Sequence, residues 1–421
     1  MAAHSFFRYT AVALLLLGAA ACKYPYEMEL PTRAEYPFVI EGDILIGANT
    51  TLYFRYAQPL EGTPQLPQEY MDTTSFRASG YIEGEDGSRV DGYLPEYSFT
   101  LPDGQVFTWK SSLADHLVFD TDHLRTDQRY RLHLETKSSQ DYRYHTFETD
   151  WMEVRQAPVV DRLSYTKNEA SNELWIGLSM HCNGSSHFRW SYLEEWEYHS
   201  DLRAQYYYDP NAKRVERGDG GVYRCWQRHS SSNIDIISTE NQVEDRFEDL
   251  AIIRIPLDDR RLQVLYRVTV SLEALSEDGY NFWRTVRENT DEQGSIFAPT
   301  PSQISSNLRC ISDPDYRVLG YVGLTGVTEA VLYYDNEEAN FFQRPKGGYF
   351  FPPDEEKHEN TDIINAARYK QGQRIWHGEW ENTSPTPSHF VWVNAECIDC
   401  RLSGGTLYKP ADWPEKEGIY E

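Results

Sequence analysis

The chain has 421 residues, enough for two or three domains and a sizeable core. Its formal net charge of −26 makes nucleic acid and anionic lipid head groups poor partners. Aromatic residues make up 14% of the chain, with 30 Tyr and 11 Trp, which favours β structure and leaves polar-tipped rings for a binding surface.

Residues 1–21 read as a secretory signal. Arg8 and His4 lie in a short leading region, and an apolar run from Ala11 to Gly18 follows. That run is too short to span a bilayer. Ala19, Ala20 and Ala21 then precede Cys22, the pattern of a lipid-attachment cysteine. Fatty acylation of Cys22 would hold the protein at a membrane, since each buried methylene contributes about 0.8 kcal/mol. Residues 22–35 contain Pro25 and Pro31 and read as an extended tether.

Residues 36–157 read as an N-terminal β-sandwich. Short apolar strands are expected at 38–40, 44–46, 52–56 and 78–83, with a hairpin turn at Asp86-Gly87. Tyr130, Leu132 and Leu134 share one face at period two. A Tyr opening a late strand after a turn resembles the tyrosine corner of immunoglobulin-like sandwiches. Asp120, Asp122 and His123 are metal-ligand types, read here as a turn before that strand.

Residues 158–335 read as a second sandwich. Its densest aromatic strand places Trp190, Tyr192, Glu194, Trp196 and Tyr198 on one face. Glu194 and Glu195 resemble a glycosidase pair, but adjacent strand residues point to opposite faces, which rules that pairing out. Ser276 reads as a helix N-cap, with Tyr280, Phe282, Trp283 and Val286 as the apolar stripe of one inserted helix. Residues 336–421 read as an irregular extension packed on the second domain. The expected fold is therefore mainly β: two immunoglobulin- or fibronectin-III-like sandwiches, one helix, and a tail pinned by disulfides.

The combination of Cys225-Trp226, the Leu275-Ser276 helix start, the run from Ser306 and Asn307 to Cys310, Val318 to Tyr321, and the tail from Cys397 to Trp413 resembles a lipoprotein family of Bacteroidota, domain of unknown function 4249. The resemblance covers nearly all of the chain after the signal. It implies an outer-membrane lipoprotein encoded beside a TonB-dependent receptor, with the exposed leaflet favoured. It carries over no catalytic residues.

Beyond Cys22 there are five cysteines. Cys225, Cys310, Cys397 and Cys400 are expected to form two disulfides, one bridge to Cys225 and one to Cys310, with Cys182 left as a buried thiol. A zinc site would need a second close pair, and a redox CxxC a strand-to-helix setting, so no metal or cofactor is expected. No hydrolase, metalloprotease or phosphate-loop motif is present in the sequence. The binding candidates are Trp196, Tyr198, Tyr206, Tyr207 and Tyr208, aromatics concentrated in the second sandwich. The expected role is an outer-membrane accessory protein, not an enzyme, that binds a peptide or glycan ligand for a TonB-dependent receptor or docks on it. A structural surface protein or adhesin, or a hydrolase with a dispersed site, are the alternatives.

Overall fold

A computed structural model describes residues 38–56, 77–100, 106–110, 115–137, 143–240, 244–291, 306–381 and 384–414. The signal, Cys22 and the tether lie outside the described residues. The chain is mainly β, as expected, with its strands in several sheets.

The backbone of the molecule is one nine-stranded sheet. Its strands lie in the order Arg224–Ser230, His187–His199, Leu265–Leu275, Val322–Asp335, Phe38–Ile46, Thr50–Tyr56 and His116–Phe119. Asp235–Ser238 adds to His187–His199, and Val318–Leu319 adds to Phe38–Ile46. Val322–Asp335 is the pivot. Its first residues run parallel to Phe38–Ile46, from Gly42 opposite Val322 to Ile46 opposite Gly326. The rest runs antiparallel to Leu265–Leu275, from Glu273 opposite Val327 to Leu265 opposite Asp335.

Each end of this sheet is covered by a different partner. At one end lies the sheet Leu308–Cys310, Tyr144–Thr149, Arg129–Lys137, Arg77–Gly84 and Arg89–Asp91. Phe38, Ile40, Phe54, Leu132, Leu134 and Phe147 meet between the two in one core. Tyr130, near the start of its strand, has a buried ring, and its hydroxyl accepts the Arg125 N–H at 2.8 Å. At the other end lies the sheet Val159–Asn168, Glu173–His181 and Arg246–Pro256. Leu174, Ile176, Ile255, Val268 and Val270 fill the core there. The helix Glu277–Asp291 forms where expected, and the Ser276 hydroxyl caps it by accepting the Gly279 N–H at 3.1 Å.

Two expectations about chain division differ from this arrangement. The nine-stranded sheet takes strands from both sides of residues 157–158, and Leu308, Cys310, Val318, Val322 and Leu324 pack in the core of the first sandwich. Sandwich cores need strands, not contiguous sequence, and the parallel pair at Phe38–Ile46 brings in strands some 280 residues later. The extension after Asn336 is also more regular than expected. Glu356–Glu359, His389–Asn394 and Gln373–Glu379 form a three-stranded sheet, with the helix Asp362–Lys370 beside it. Phe390, Val391, Trp392 and Val393 are all buried, so this strand is covered on both faces and shows no alternation to read.

Among the described residues one disulfide holds the extension: Cys225 to Cys400, with Cα atoms 5.8 Å apart. The two-bridge expectation is corrected here. Cys182, Cys310 and Cys397 are free and buried. Cys310 sits on Leu308–Cys310, hydrogen-bonded to Tyr144–Thr149 in the first sandwich, so it belongs to a different core. Cys397 lies in a separate 3-10 turn from Cys400 and donates its S–H to the Asn394 carbonyl at 2.9 Å.

Candidate functional site

Trp196 and Tyr198 are not surface groups. Both are buried in the core of the second sandwich, because the face they share points at the sheet Val159–Asn168, Glu173–His181 and Arg246–Pro256. The Tyr198 hydroxyl donates to the Cys400 carbonyl at 2.7 Å, so it braces the disulfide. The same strand explains the two glutamates. Glu194 accepts from Arg261 and the Tyr266 hydroxyl, each at 2.8 Å, while Glu195 faces the other way and accepts from Arg267 at 2.8 Å. Trp413 is likewise buried, with its indole N–H on Glu197 at 3.0 Å.

Tyr206, Tyr207 and Tyr208 have a different setting. They form the first strand, Tyr206–Asp209, of a hairpin with Arg214–Arg217. Asp209 closes its turn by accepting the N–H groups of Asn211 (2.7 Å) and Ala212 (3.1 Å), and Lys213 takes the left-handed conformation there. The Gln205 N–H donates to the Trp376 carbonyl at 2.7 Å, which clips the hairpin onto Gln373–Glu379. The tyrosine run therefore meets the C-terminal sheet. The Tyr206 ring lies 5.3 Å from Phe390 and the Tyr208 ring 5.4 Å from Tyr369.

Between hairpin and sheet is a cleft of about 210 Å³. All three tyrosines line it, with Tyr369, Arg374 and Arg401 from the extension and Asp219 and Gly220 from the loop after the hairpin. Gly220 is held at φ +67° against Tyr207, where a Cβ would come 3.2 Å from the ring. Its absence of a side chain lets the loop lie on that ring. The Tyr207 hydroxyl donates to Glu216 at 2.6 Å, which holds the phenol above and the carboxyl below its ordinary value.

Most charges of the cleft are committed within the fold. Asp399 takes two bonds from Arg401, at 2.8 and 2.7 Å. Asp219 takes Arg203 at 3.0 Å and the Gly221 N–H at 2.9 Å. The Arg374 guanidinium lies over the Tyr369 ring, 4.3 Å from its centre, and donates to the Gln373 carbonyl at 2.9 Å. Three of the five binding candidates thus line one cleft, and Trp196 and Tyr198 do not. Sequence reasoning missed Tyr369, Arg374 and Arg401. The glycine-rich stretch Gly218, Gly220 and Gly221 beside a tyrosine run was the available sign of a close backbone approach.

Other clusters have less structure around them. Asp120, Asp122 and His123 place their ligand atoms within 4.8 Å of one another, but all three are exposed on a turn. The thiols of Cys182 and Cys397 are pushed up by burial, to about 11 and about 12.

The chain belongs to the family described as Domain of unknown function (DUF4249), whose model matches residues 23–330. The tyrosine hairpin lies inside the matched span, and Tyr369, Arg374 and Arg401 lie beyond it. No curated protein matches the chain. Among solved structures it is similar to the chicken interferon gamma receptor alpha chain, at 10% identity over 55% of this chain and 86% of that one. The TM-score is 0.15, too slight a likeness to carry an argument.

Proposed function

We propose that this member of the DUF4249 family is a lipid-anchored accessory protein of the outer membrane. It captures a ligand for a TonB-dependent receptor or docks on that receptor, and the tyrosine-hairpin cleft is its contact site. The observation that supports this reading is the cleft itself. A run of three tyrosines lines it outside the two sandwich cores: Tyr206 and Tyr207 are half-buried, and Tyr208 is buried against Ile375, Phe390 and Trp392. Tyr is a frequent binding hot spot because it offers a large rigid face and a polar tip at low entropic cost. The anchor at Cys22 fits such a role. A tether over residues 22–35 extends to about 50 Å at most, at about 3.5 Å per residue, which leaves the folded body free to orient beside a receptor.

The test is a triple substitution of Tyr206, Tyr207 and Tyr208 to Ser in the full chain, with thermal unfolding as the folding control. Receptor co-purification from native outer membranes and ligand uptake are then measured. Loss of either with folding retained supports the cleft. Retention of both sinks it as the functional surface.

A further inference from the structure

Resting on that reading of the cleft, we propose that it receives the C-terminal carboxylate of a peptide, with Arg374 as the group that binds it. The argument begins with the charges that line the cleft. Asp399 is matched by Arg401 and Asp219 by Arg203. Asp209 is spent on the turn of the hairpin. Of the two cations that line the cleft among the described residues, Arg401 is paired with Asp399 and Arg374 has no opposite charge in contact. Its bonds are to the Gln373 carbonyl and to the face of Tyr369. A half-buried guanidinium left without a carboxylate is notable in a chain with 66 acidic and 40 basic residues.

Geometry fits the same ligand. The contact with Tyr369 and the bond to the Gln373 carbonyl hold the guanidinium in place, and its remaining N–H donors present a planar fork, the shape that matches a carboxylate. Tyr208 also packs on Tyr369, at 5.4 Å, and provides an aromatic wall in the same cleft. The volume of about 210 Å³ is below the range of pockets that enclose drug-sized molecules and suits a small group such as the last residue of a peptide. Capture of a terminal carboxylate is a recurrent mode of peptide recognition.

Net charge selects among carboxylate sources. A field from −26 charges repels an acidic polysaccharide, whereas a peptide with one terminal carboxylate and basic residues upstream is drawn in. The ligand class that fits is therefore a neutral or basic peptide with a free C-terminus.

The experiment uses the full chain and a library of N-acetylated hexapeptides, lysine-containing upstream and varied in the last two residues, each made as free acid and as amide. Binding is read by fluorescence anisotropy. The expected result is a set of free acids that bind about tenfold to a hundredfold tighter than their amides, as a charge-assisted pair implies. That ratio falls to near one in Arg374→Met and is partly kept in Arg374→Lys. It stays unchanged in Arg254→Gln, an exposed arginine that lies over Trp175 on the strand Arg246–Pro256, outside the cleft. Thermal unfolding of each variant controls for folding. The proposal is overturned by equal affinity of acids and amides, by a ratio insensitive to Arg374, by no binding across the library, or by binding of galacturonate oligomers with the peptides silent. If acids and amides bind equally but the triple tyrosine variant loses both, the cleft reading survives and only the carboxylate assignment fails.

Discussion

Cys397 stays a thiol three residues from a disulfide-bonded neighbour because its own turn holds it. Its S–H donates to the Asn394 carbonyl, and burial raises it to about 12, so little thiolate exists to attack the bridge. Cys400 instead reaches Cys225 on the strand Arg224–Ser230, and its backbone N–H donates to the carbonyl of Val222, just before that strand, at 3.0 Å. Two outcomes follow for solution chemistry. Native protein treated with a thiol reagent shows no reaction at Cys182, Cys310 or Cys397, and all three react once it is denatured without reductant. Non-reducing peptide mapping gives the Cys225–Cys400 cross-link, and a Cys310 cross-link would contradict the structure. Replacing both bridge cysteines with Ala lowers stability by about 2–5 kcal/mol in urea unfolding, since the bridge closes a long loop between residues 175 apart in sequence.

Elements were legible where one face is wet and the other dry. Tyr130, Leu132 and Leu134 alternate on Arg129–Lys137, and the helix Glu277–Asp291 shows both its cap and its apolar stripe. Legibility failed where neither local signal applies. His389–Asn394 is buried on both faces, and the parallel pairing of Phe38–Ile46 with Val322–Asp335 leaves no mark on either strand alone. The aromatics of His187–His199 share the expected face, but the binding candidates Trp196 and Tyr198 lie in the core, because periodicity identifies a face without saying what covers it. Gly320 tests how tightly the seam beside that parallel pair is built. Its φ is +101°, and a Cβ there would lie 1.9 Å from the Ile40 carbonyl oxygen. Gly347 has the same φ with open space around it. Gly347→Ala should cost only the left-handed strain, about 1–2 kcal/mol. Gly320→Ala adds a clash with backbone and should cost at least about 3 kcal/mol. Equal losses in urea unfolding would show that the seam yields freely.

At the scale of the whole molecule, the two sandwiches share a strand and also a buried charge cluster. Asp43 comes from the first sandwich, and Arg189 and Glu273 from the second. Arg189 donates to both carboxylates while its guanidinium lies over the Trp283 ring, and Asp43 also accepts the Gly323 N–H at 2.8 Å. Burial pushes the Glu273 carboxyl upward, and the pull of Arg189 offsets only part of that. Replacing Arg189 by Met leaves two buried acids facing each other without a cation, at a cost of about 3–5 kcal/mol near neutral pH. The sign of the pH dependence follows. Without Arg189, Glu273 in the folded state rises further above its unfolded value of about 4.3, so the fold binds a proton more tightly than the unfolded chain does. That contribution is fully present below the unfolded value and is lost as pH rises through the folded one. The deficit of the variant should therefore shrink from pH 7.5 towards pH 5. Combining Arg189→Met with Asp43→Asn and Glu273→Gln removes both acids and should recover most of the loss at pH 7.5, because the penalty lies in uncompensated charge rather than in missing bonds. Urea unfolding of the two variants at both pH values decides the matter. A deficit that ignores pH, or a triple variant no better than the single one, would mean that packing rather than charge joins the two halves here.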